Sequence, residues 1–475
     1  MCDFIKKPII VILGAGLSGL GAAWQLTRHG LAHVCVLERS AEVGGIAGSF
    51  ELCGLPVDYG SHRLHPACDP QILGDLRMLL GNDLLTRPRH GRIRLVGRWV
   101  HFPLKASDLL TSLPWRFRIR IAGDILRKVI SIPSNDVRPS FASVLERGLG
   151  STICRDFYFP YAQKIWGLAP EELSPTQAYR RISVGSLGKM LRKVFTSRNR
   201  SSVGGSFFYP RGGFGQIARV MATAASDGNA DIRLRATVRV IHLGPPHYVE
   251  FEQHGQVTSI KADYVWSTIP ASVLLRLVRP TAPSEVMEAS SQLRFRGMVL
   301  TYLVLGQQRF SEYDAHYFPG SETPLTRLSE TKNYSARTDP PDRTVLCSEL
   351  PCDVNDETWR MSDEVLAQEI SRSLDRCELP IGARVLSVTT RRITHAYPIY
   401  RYGYQEHFNV IDQWLDGLHS VLSFGRQGLF AHDNIHHALY MGYAAVDCLN
   451  NDGRFDREKW QGYYRKIFET HVVED

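Results

Sequence analysis

Three glycines near the start of the chain have a spacing that suits the binding of a phosphate group. Gly14, Gly16 and Gly19 follow the apolar stretch 9–13, a predicted buried strand, and they open a predicted helix over 18–29. In such a motif the first glycine permits a tight turn, the second lets the backbone approach a pyrophosphate, and the third lets helix and strand pack closely. The free N–H groups and the dipole at the start of the helix favour negative charge there.

The glycine motif is followed by a carboxylate, Glu38, at the position where dinucleotide-binding motifs carry one. Glu38 ends a second predicted strand, 33–37, so that strand, glycines, helix and strand form a βαβ unit. An acid in this place accepts a hydrogen bond from a ribose 2′-hydroxyl and disfavours a 2′-phosphate. The combination predicts a dinucleotide site, and the alternative is a glycine-rich turn in an unrelated α/β protein. The glycines also interrupt the apolar run, which argues against a secretory leader or a membrane anchor.

The composition is typical of a globular protein with more than one domain. The chain has 475 residues, of which 44% are hydrophobic and 22% charged, and we expect two or three domains. Its nine cysteines form no C-x-x-C pair, so we expect reduced thiols, no zinc site and a cytoplasmic protein. We find no later segment apolar enough to span a bilayer. The formal net charge of +8 favours anionic ligands, anionic membrane surfaces or nucleic acid, without choosing among them.

The residues after the second strand resemble those of a flavoprotein family. Glu38 and the pair Gly44 and Gly45 match the E-x₅-G-G pattern of the amine oxidase superfamily, whose members bind FAD. The resemblance continues through VDYGSHRLHP (57–66), FFYPRGGFGQI (207–217) and the run 421–442. It implies that FAD is the cofactor, with His62 near the isoalloxazine. The positions that it assigns to FAD are Gly14, Gly16, Ser18, Gly19, Glu38, Arg39, Gly45, Tyr59, Gly60, His62, Val238, Gly425, Arg426, Asn434 and Ile435.

The same resemblance implies a discontinuous architecture. We expect an α/β fold in which a Rossmann-like, GR2-type FAD-binding domain is assembled from residues 1–75, 205–275 and 415–450. A mainly helical cap segment over 76–204 and an α+β substrate-binding segment over 276–414 are inserted into it. Residues 451–475 form a C-terminal tail in this scheme. The best candidate for a loop is 193–205, which is rich in Ser, Arg and Gly.

The block FYFPYAQKIWG (157–167) narrows the resemblance to one branch of the superfamily. It is similar to the Y-x-x-K-x-W-G block of UDP-galactopyranose mutases and of protoporphyrinogen-oxidase-like oxidoreductases. The mutase resemblance implies that Trp166 and either Arg180 or Arg181 contact the substrate, and that Arg426 holds a diphosphate. The chain departs from the mutases at 432 and 434, where His and Asn replace the usual Tyr and Asp. The run HAYPIYRYGYQEH (395–407) looks more like the oxidoreductases.

Two reactions and one non-catalytic role follow from these resemblances. The first is that of an FAD-dependent oxidoreductase, in which oxidised flavin takes a hydride at N5 from a small polar or anionic metabolite. O₂ or an unknown acceptor then takes the electrons. The second is a mutase-like isomerisation of a sugar nucleotide, in which reduced flavin N5 attacks the anomeric carbon without net redox change. The third is a flavoprotein scaffold with no catalysis.

The residues predicted to carry this chemistry are few. The candidate catalytic residues are His62, Arg181, Arg426 and Tyr397. Histidine is the side chain that most readily carries protons near neutral pH, and arginine holds anions. The candidate substrate-binding residues are Trp166, Arg180, Tyr400 and His432. For the aromatic and histidine side chains among them, simple packing at a domain interface is the alternative interpretation.

Two further patterns have competing interpretations. His432, His436 and His437 include an i, i+4 pair that could bind a metal on a helix, but no third-ligand motif accompanies them, so we expect no metal. The run LPWRFRIRIAGDILRKVI (113–130) mixes bulky apolar and basic residues. As a helix it could contact an anionic membrane, as a strand it could line an acidic-substrate groove, and otherwise it is a solvated basic face. We expect no nucleic-acid partner, since no recognition motif accompanies the charge.

Overall fold

The strand–glycine–helix–strand unit lies at the centre of a five-stranded parallel sheet. The structure is a computed structural model that describes residues 7–102, 108–130, 138–181 and 205–473. Both predicted strands are present as predicted, and the helix between them, Leu17–Arg28, begins one residue earlier. From one edge, the strand order is Val421–Ser423, Tyr264–Ser267, Ile9–Leu13, His33–Leu37 and Asp231–Arg233.

Helices cover one face of this parallel sheet. Leu17–Arg28 packs between Gln216–Asp227 and Ile435–Asp447, and Pro70–Leu80 and Arg457–Thr470 extend the layer. The first helix and Ile435–Asp447 approach closely, because a Cβ on Gly442 would overlap the Ser18 carbonyl oxygen. The fully buried side chains of this layer include Ile12, Leu20, Leu26, Met221, Trp266 and Leu439.

The other face carries a four-stranded sheet and three helices. The strand order in this sheet is Gln256–Ala262, His247–Gln253, Ala236–His242 and Val278–Arg279. The helices are Ala271–Leu277, Ser284–Gln292 and Tyr404–Asp416. Their buried side chains form a core with the underside of the parallel sheet, where Val11, Leu13 and Val265 contribute.

A seven-stranded sheet contains most of the strands of the predicted substrate-binding segment. Its order is Val385–Pro398, Phe295–Leu305, Thr344–Cys352, Arg327–Glu330, Ala315–Tyr317, Gly91–Leu95 and Arg98–Phe102. Its last two strands come from the segment that the sequence predicts to be mainly helical. They form a hairpin, and the first of them pairs in parallel with Ala315–Tyr317.

A cluster of helices lies beside this sheet. It comprises Trp115–Ile130, Phe141–Leu149, Phe159–Trp166 and Pro175–Arg181, with a core that includes Phe117, Phe141 and Trp166. Lys164 attaches the cluster to the sheet side, since its Nζ donates to the carbonyl oxygens of Phe318 and Leu325 at 2.7 and 3.1 Å. The helix Asp363–Arg376 packs on the seven-stranded sheet, with Leu366 and Ile370 in the core.

The remaining elements are short. They are the ribbon Ser49–Leu52 with Leu55–Asp58, the ribbon Leu84–Pro88 with Ser206–Pro210, and the helical turns Gly45–Ala47, Gly81–Asp83, Asp108–Ser112, Ser151–Ile153, Cys154–Tyr158, Thr331–Tyr334, Glu357–Arg360 and Gly425–Gly428. The α/β fold class is thus confirmed, and the predicted tail contains the helix Arg457–Thr470. The domain boundaries stay a prediction, and the predicted loop over 193–205 lies outside the described residues except for Gly205. Among the described helices, none has both the length and the apolar character needed to cross a bilayer.

One buried carboxylate joins distant parts of this fold. Asp58 ends the first ribbon and has no exposed surface. Its carboxylate accepts from Ser49 Oγ at 2.6 Å, from Tyr209 Oη at 2.6 Å and from the Phe214 amide at 2.9 Å. Its carbonyl oxygen accepts from Tyr302 Oη at 2.7 Å. The residue therefore ties two of the segments predicted to bind FAD to the seven-stranded sheet.

Replacing this carboxylate should destabilise the whole fold. In Asp58→Ala, three buried donors lose their acceptor, and each unsatisfied donor costs about 1–3 kcal/mol. We expect the free energy of unfolding to fall by roughly 3–5 kcal/mol, as measured by urea denaturation followed by circular dichroism. The control Asp452→Ala removes an exposed carboxylate and should leave the transition in place. An Asp58→Ala protein as stable as its control would contradict this role.

Candidate functional site

A cavity of about 650 Å³ opens at the carboxyl ends of the central parallel strands. Its walls come from the glycine turn, the end of the second strand, the loop after Asp58 and the start of Ile435–Asp447. The predicted FAD residues that line it are Gly14, Gly16, Ser18, Glu38, Arg39, Gly45, Tyr59, His62, Val238, Arg426, Asn434 and Ile435. The structure therefore brings twelve of the fifteen predicted positions around one space.

The glycine turn has the geometry that a close-bound phosphate requires. Gly14 has φ +99°, a left-handed conformation that other residues rarely adopt. A Cβ on Gly16 would meet no protein atom within 4 Å and would project into free space beside the cavity. A Cβ on Gly19 would overlap the Gly14 carbonyl oxygen, so this glycine lets the helix pack against the turn. No side chain caps the first helix at Gly16, which keeps its terminal N–H groups directed toward a ligand.

Glu38 is fixed at one end of the cavity. Its Oε2 accepts from the Ala15 amide at 2.9 Å and its Oε1 accepts from the Ser40 amide at 2.8 Å. These bonds orient the carboxylate and leave lone pairs for a ribose hydroxyl, since each ionised oxygen can accept more than one bond. Val238 lines the same end. The second glycine pair passes next to the turn, with the Gly44 amide donating to the Ala15 carbonyl at 2.8 Å.

The other three predicted positions, Gly19, Gly60 and Gly425, do not line the cavity. They allow the backbone around it to pack closely instead. A Cβ on Gly60 would lie 3.3 Å from Glu349 Oε1, and one on Gly425 would lie 2.8 Å from Ser18 Oγ. These glycines therefore bring the loop after Asp58 and the turn 425–428 up to their neighbours.

His62 lines the same cavity from the loop after Asp58. Its Nε2 donates to the carbonyl oxygens of Ile46 and Tyr59 at 2.7 and 2.9 Å, so Nε2 carries the proton of the neutral ring. Burial lowers the pKa of His62 to about 4, although the nearby Glu349 carboxylate acts in the other direction. The ring is therefore neutral at pH 7. We propose that His62 orients the loop beside the cofactor rather than carrying protons.

A second cavity of about 130 Å³ adjoins the first beside His62. His62, Arg426, Asp433, Asn434 and Ile435 line both. Two further predicted site residues, Tyr397 and His432, line the second one. The residues there that sequence reasoning missed are Ser61, Arg63, His65, Arg89, Tyr161, Ile165, Tyr317, Thr326, Arg327, Glu349, Asp433 and Val473.

The second cavity has an excess of positive charge. Four guanidinium groups line it, from Arg63, Arg89, Arg327 and Arg426, against the two carboxylates of Glu349 and Asp433. The difference is two positive charges, counted with neutral histidines.

Three arginines in this lining, Arg63, Arg327 and Arg426, are held in place by hydrogen bonds or ion pairs. Arg327 forms a two-pronged pair with Glu349 at 2.9 and 2.8 Å, and Arg63 lies 3.2 Å from Asp314. Arg426 donates from Nη2 to the Ala396 carbonyl at 2.8 Å. Its guanidinium lies over the ring of Tyr397, 5.4 Å from the centroid. Fixed guanidinium groups suit carboxylate or phosphate, which they can bind through two parallel hydrogen bonds.

Three predicted substrate residues lie one layer behind this lining. Trp166 packs edge-on against His432, with ring centroids 6.1 Å apart. Tyr400 Oη accepts from the His432 amide at 2.9 Å, and Arg180 lies 3.5 Å from Asp433. We propose that these three side chains support His432 and Asp433 rather than contact a ligand. The side chain of Arg181 lies outside the described part of the chain, so its role stays a prediction.

Among the described residues, one cluster of three meets the distance requirement for a metal site. Asp433 lies 3.1 Å from His471 Nδ1 and 3.9 Å from His437 Nδ1. The two imidazole rings are stacked, 4.1 Å apart and 12° from parallel, so their lone pairs cannot converge on one ion. Arg180 also supplies positive charge to Asp433. The geometry favours a hydrogen-bonded cluster that holds the end of the C-terminal helix, and the absence of a metal stays a prediction.

Blocking the space beside Gly16 should abolish cofactor binding without unfolding the protein. Gly16 has φ −73° and ψ 174°, which any residue can adopt, and a side chain there meets no protein atom. We expect Gly16→Val to fold but to purify without the yellow colour and the visible absorbance of bound FAD. Gly74→Val is the matched control, since Gly74 also has open space and lies away from the cavity. A yellow Gly16→Val protein would refute the assignment.

The lowered pKa of His62 makes part of the stability depend on pH. Above pH 6.5 the ring is neutral in the folded and the unfolded chain, and this contribution to stability is complete. As the pH falls toward about 4 the unfolded chain takes up a proton that the folded chain refuses, so stability is lost. Relative to His62→Gln, whose amide can also donate to the two carbonyls, the wild type should lose about 2 kcal/mol between pH 7.5 and 5. Denaturant titrations at both pH values measure this difference, and an unchanged difference would show that His62 is not held neutral.

Comparison with known structures shows a shared fold. The structure aligns with a reduced UDP-galactopyranose mutase with a TM-score of 0.80 and 21% identity, over 96% of this chain and 98% of that one. It aligns with putrescine oxidase bound to putrescine with a TM-score of 0.64 and 18% identity, over 93% and 98% of the two chains.

Sequence relatives cover shorter lengths. Coproporphyrinogen III oxidase of Propionibacterium freudenreichii subsp. freudenreichii is 25% identical over 325 residues, 58% of this chain and 59% of that protein. Peroxisomal N(1)-acetyl-spermine/spermidine oxidase of Bos taurus is 41% identical over 61 residues, 13% of this chain and 12% of that protein. The chain thus spans at most about three fifths of the length of these two relatives.

The family model of the flavin-containing amine oxidoreductases matches residues 17–447. FAD, the cofactor, fits the first cavity: Gly16 leaves room for a pyrophosphate, Glu38 faces the ribose end, and the uncapped start of the first helix offers N–H groups. Arg426, Asn434 and Ile435 would stand at the isoalloxazine end. These findings together establish that the chain belongs to the flavin-containing amine oxidoreductase family and is a flavin-dependent enzyme.

Proposed function

We propose that the chain is an FAD-dependent oxidoreductase that removes a hydride from a small anionic metabolite. When bound, FAD supplies the hydride acceptor, N5 of its isoalloxazine. The observation that carries the proposal is the shared wall of the two cavities. Because His62, Arg426, Asn434 and Ile435 line both spaces, the arginine-lined cavity adjoins the cofactor cavity at these residues.

The arginines of the second cavity select the charge of the substrate. In a site partly shielded from water, a unit charge at 4 Å contributes about 4 kcal/mol at an effective dielectric constant near 20. An excess of two guanidinium groups therefore attracts a carboxylate or phosphate and repels an ammonium group. Putrescine, the ligand of the structurally similar oxidase, is a dication and is unsuited to this cavity. Support for an anionic substrate thus comes from this chain's own lining, not from its relatives.

The other lining groups position the substrate. Gln177 Nε2 donates to His432 Nδ1 at 3.3 Å, which places the proton of the neutral His432 ring on Nε2. Tyr397 lies between Arg426 and His432, with ring centroids 5.1 Å apart for Tyr397 and His432. We propose that these two rings form the wall that holds the reacting C–H group next to the cofactor and excludes water from it.

A non-redox isomerase is the second candidate. It is supported by the fold shared with UDP-galactopyranose mutase and by an arginine-lined cavity that would accept a diphosphate. In that case the same arginines bind the diphosphate of a sugar nucleotide, and the flavin acts only in its reduced state.

An anaerobic reduction assay distinguishes the two candidates. A small-molecule extract of the native host is separated by ion exchange into anionic and cationic fractions, and each is added to the yellow protein without air. The oxidoreductase proposal predicts loss of the oxidised flavin absorbance with an anionic fraction, and air then shows whether O₂ is the acceptor. If no fraction reduces the flavin, and the prereduced enzyme interconverts the ring forms of a nucleotide sugar, the proposal is wrong and the isomerase is correct.

Removing one arginine should weaken substrate binding selectively. With the active fraction from that assay, Arg426→Ala should raise KM about 10- to 100-fold, because a hydrogen bond to a charged group contributes about 1.5–3 kcal/mol. Bound flavin, measured by absorbance, should be retained. Arg454→Ala, which removes an exposed arginine that is not among the lining residues of either cavity, is the control and should leave KM unchanged. An unchanged KM in Arg426→Ala would exclude its role in binding the anion.

A further inference from the structure

The helix Trp115–Ile130 uses only one of its faces for packing. Phe117 and Ile121 are buried in the core of the helical cluster. Asp124 is buried beside them, where it accepts from the Thr152 amide at 2.7 Å and from Ser151 Oγ at 3.2 Å. At about 100° per residue, these three positions lie on one side of the helix.

The opposite side of this helix exposes large apolar side chains. Trp115, Ile119 and Leu126 have exposed fractions of 60%, 61% and 62%. Their spacing of four and seven residues places them in one line along the helix, directly opposite the buried face. We call this line, Trp115–Ile119–Leu126, the apolar stripe. Single exposed apolar residues are common, but an aligned set of this size marks an interaction surface.

Arginines flank the apolar stripe on both sides. Helical geometry places Arg118 on one side and Arg116, Arg120 and Arg127 on the other. All four are exposed. Arg120 lies 3.7 Å from Asp156, and the guanidinium of Arg116 lies 5.5 Å from the ring centroid of Trp115. The helix face that carries the stripe therefore presents apolar groups between positive charges, and its partner must offer the complement: an apolar layer under negative charge.

We propose that the apolar stripe and its arginines dock this protein on the surface of an anionic lipid bilayer. The helix would lie in the plane of the interface, with the three apolar side chains between the headgroups and the arginines beside the anionic lipids. Each basic residue near such a surface contributes about 1 kcal/mol of attraction, and the apolar side chains add their burial from water. Tryptophan is enriched at this depth of a bilayer, because its ring is apolar and its N–H is polar.

Docking through this face would bring the substrate side of the molecule near the bilayer. The helix shares its core with Ile165 and Tyr161, and both of these residues also line the arginine-rich cavity. This proposal does not depend on the identity of the substrate or on the redox reaction, because it concerns a surface outside both cavities.

Vesicle flotation of the full-length holoprotein tests the proposal. Wild-type protein should float with vesicles that mix phosphatidylcholine and phosphatidylglycerol, should stay behind with phosphatidylcholine alone, and should be released by high salt. The triple variant Trp115→Ser, Ile119→Ser, Leu126→Ser should have an affinity for the anionic vesicles that is lower by about tenfold or more. These residues are exposed, so flavin absorbance and thermal stability should be retained.

Matched variants distinguish binding through the apolar stripe from non-specific binding through other exposed apolar residues. Val257→Ser with Leu386→Ser removes exposed apolar groups elsewhere and should leave vesicle binding unchanged. Arg116→Glu with Arg127→Glu should abolish the preference for anionic vesicles. If wild-type protein ignores anionic vesicles, or if the triple variant binds them as well as wild type does, the proposal is wrong. If the triple variant instead changes the oligomeric state in light scattering, with no vesicle binding by wild type, the stripe is a contact between copies of the chain.

Discussion

Asp58 lies without exposed surface where the first ribbon, the returning segment around Tyr209 and Phe214, and the seven-stranded sheet meet. Burial raises the pKa of its carboxyl to about 6, while the hydrogen bonds from Ser49, Tyr209 and Phe214 act to lower it. Such a buried carboxylate is stable only if the donors around it keep their places. The residues that follow it are Tyr59, Gly60, Ser61 and His62, so the same network sets the position of the loop that separates the two cavities.

The loop after Asp58 also helps to position charged side chains of the second cavity. The Ser61 amide donates to Glu349 Oε1 at 2.8 Å, and Glu349 in turn holds Arg327. Arg63, two residues after Ser61, lies 3.2 Å from Asp314. The arginines are thus oriented before any ligand binds, which lowers the entropy cost of holding an anion next to the cofactor. Under the proposed function, phosphate recognition at the glycine turn and anion recognition at the arginines take place in two cavities that share lining residues.

The sequence predicts those parts of the site that are local. The turn at Gly14, the open space at Gly16 and the carboxylate at Glu38 lie within one βαβ unit, where spacing alone determines geometry. Arg327 and Glu349 come from two strands whose pairing register depends on the whole seven-stranded sheet, so no short pattern identifies them. Arg63 is an exception, since it directly follows His62 in a loop that the sequence analysis already marked.

Resemblance also identified residues that lie near the site without lining it. Trp166, Arg180 and Tyr400 are not among the lining residues of either cavity, and they contact His432 and Asp433. Motif matching finds the segment and not the direction of a side chain, which depends on packing against distant elements. For the same reason, the hairpin Gly91–Leu95 with Arg98–Phe102 was missed within a predicted helical segment, because its partner strand lies more than 200 residues away.

The proposed anion site beside the flavin can be probed by a difference-absorbance titration of the yellow holoprotein. Inorganic pyrophosphate and putrescine are the two probes, added at constant pH and ionic strength. An anion beside the isoalloxazine changes its electrostatic environment and shifts its visible bands. If the arginine-lined cavity binds anions, pyrophosphate should produce a saturable spectral change and putrescine should produce none. A saturable change with putrescine and none with pyrophosphate would contradict it.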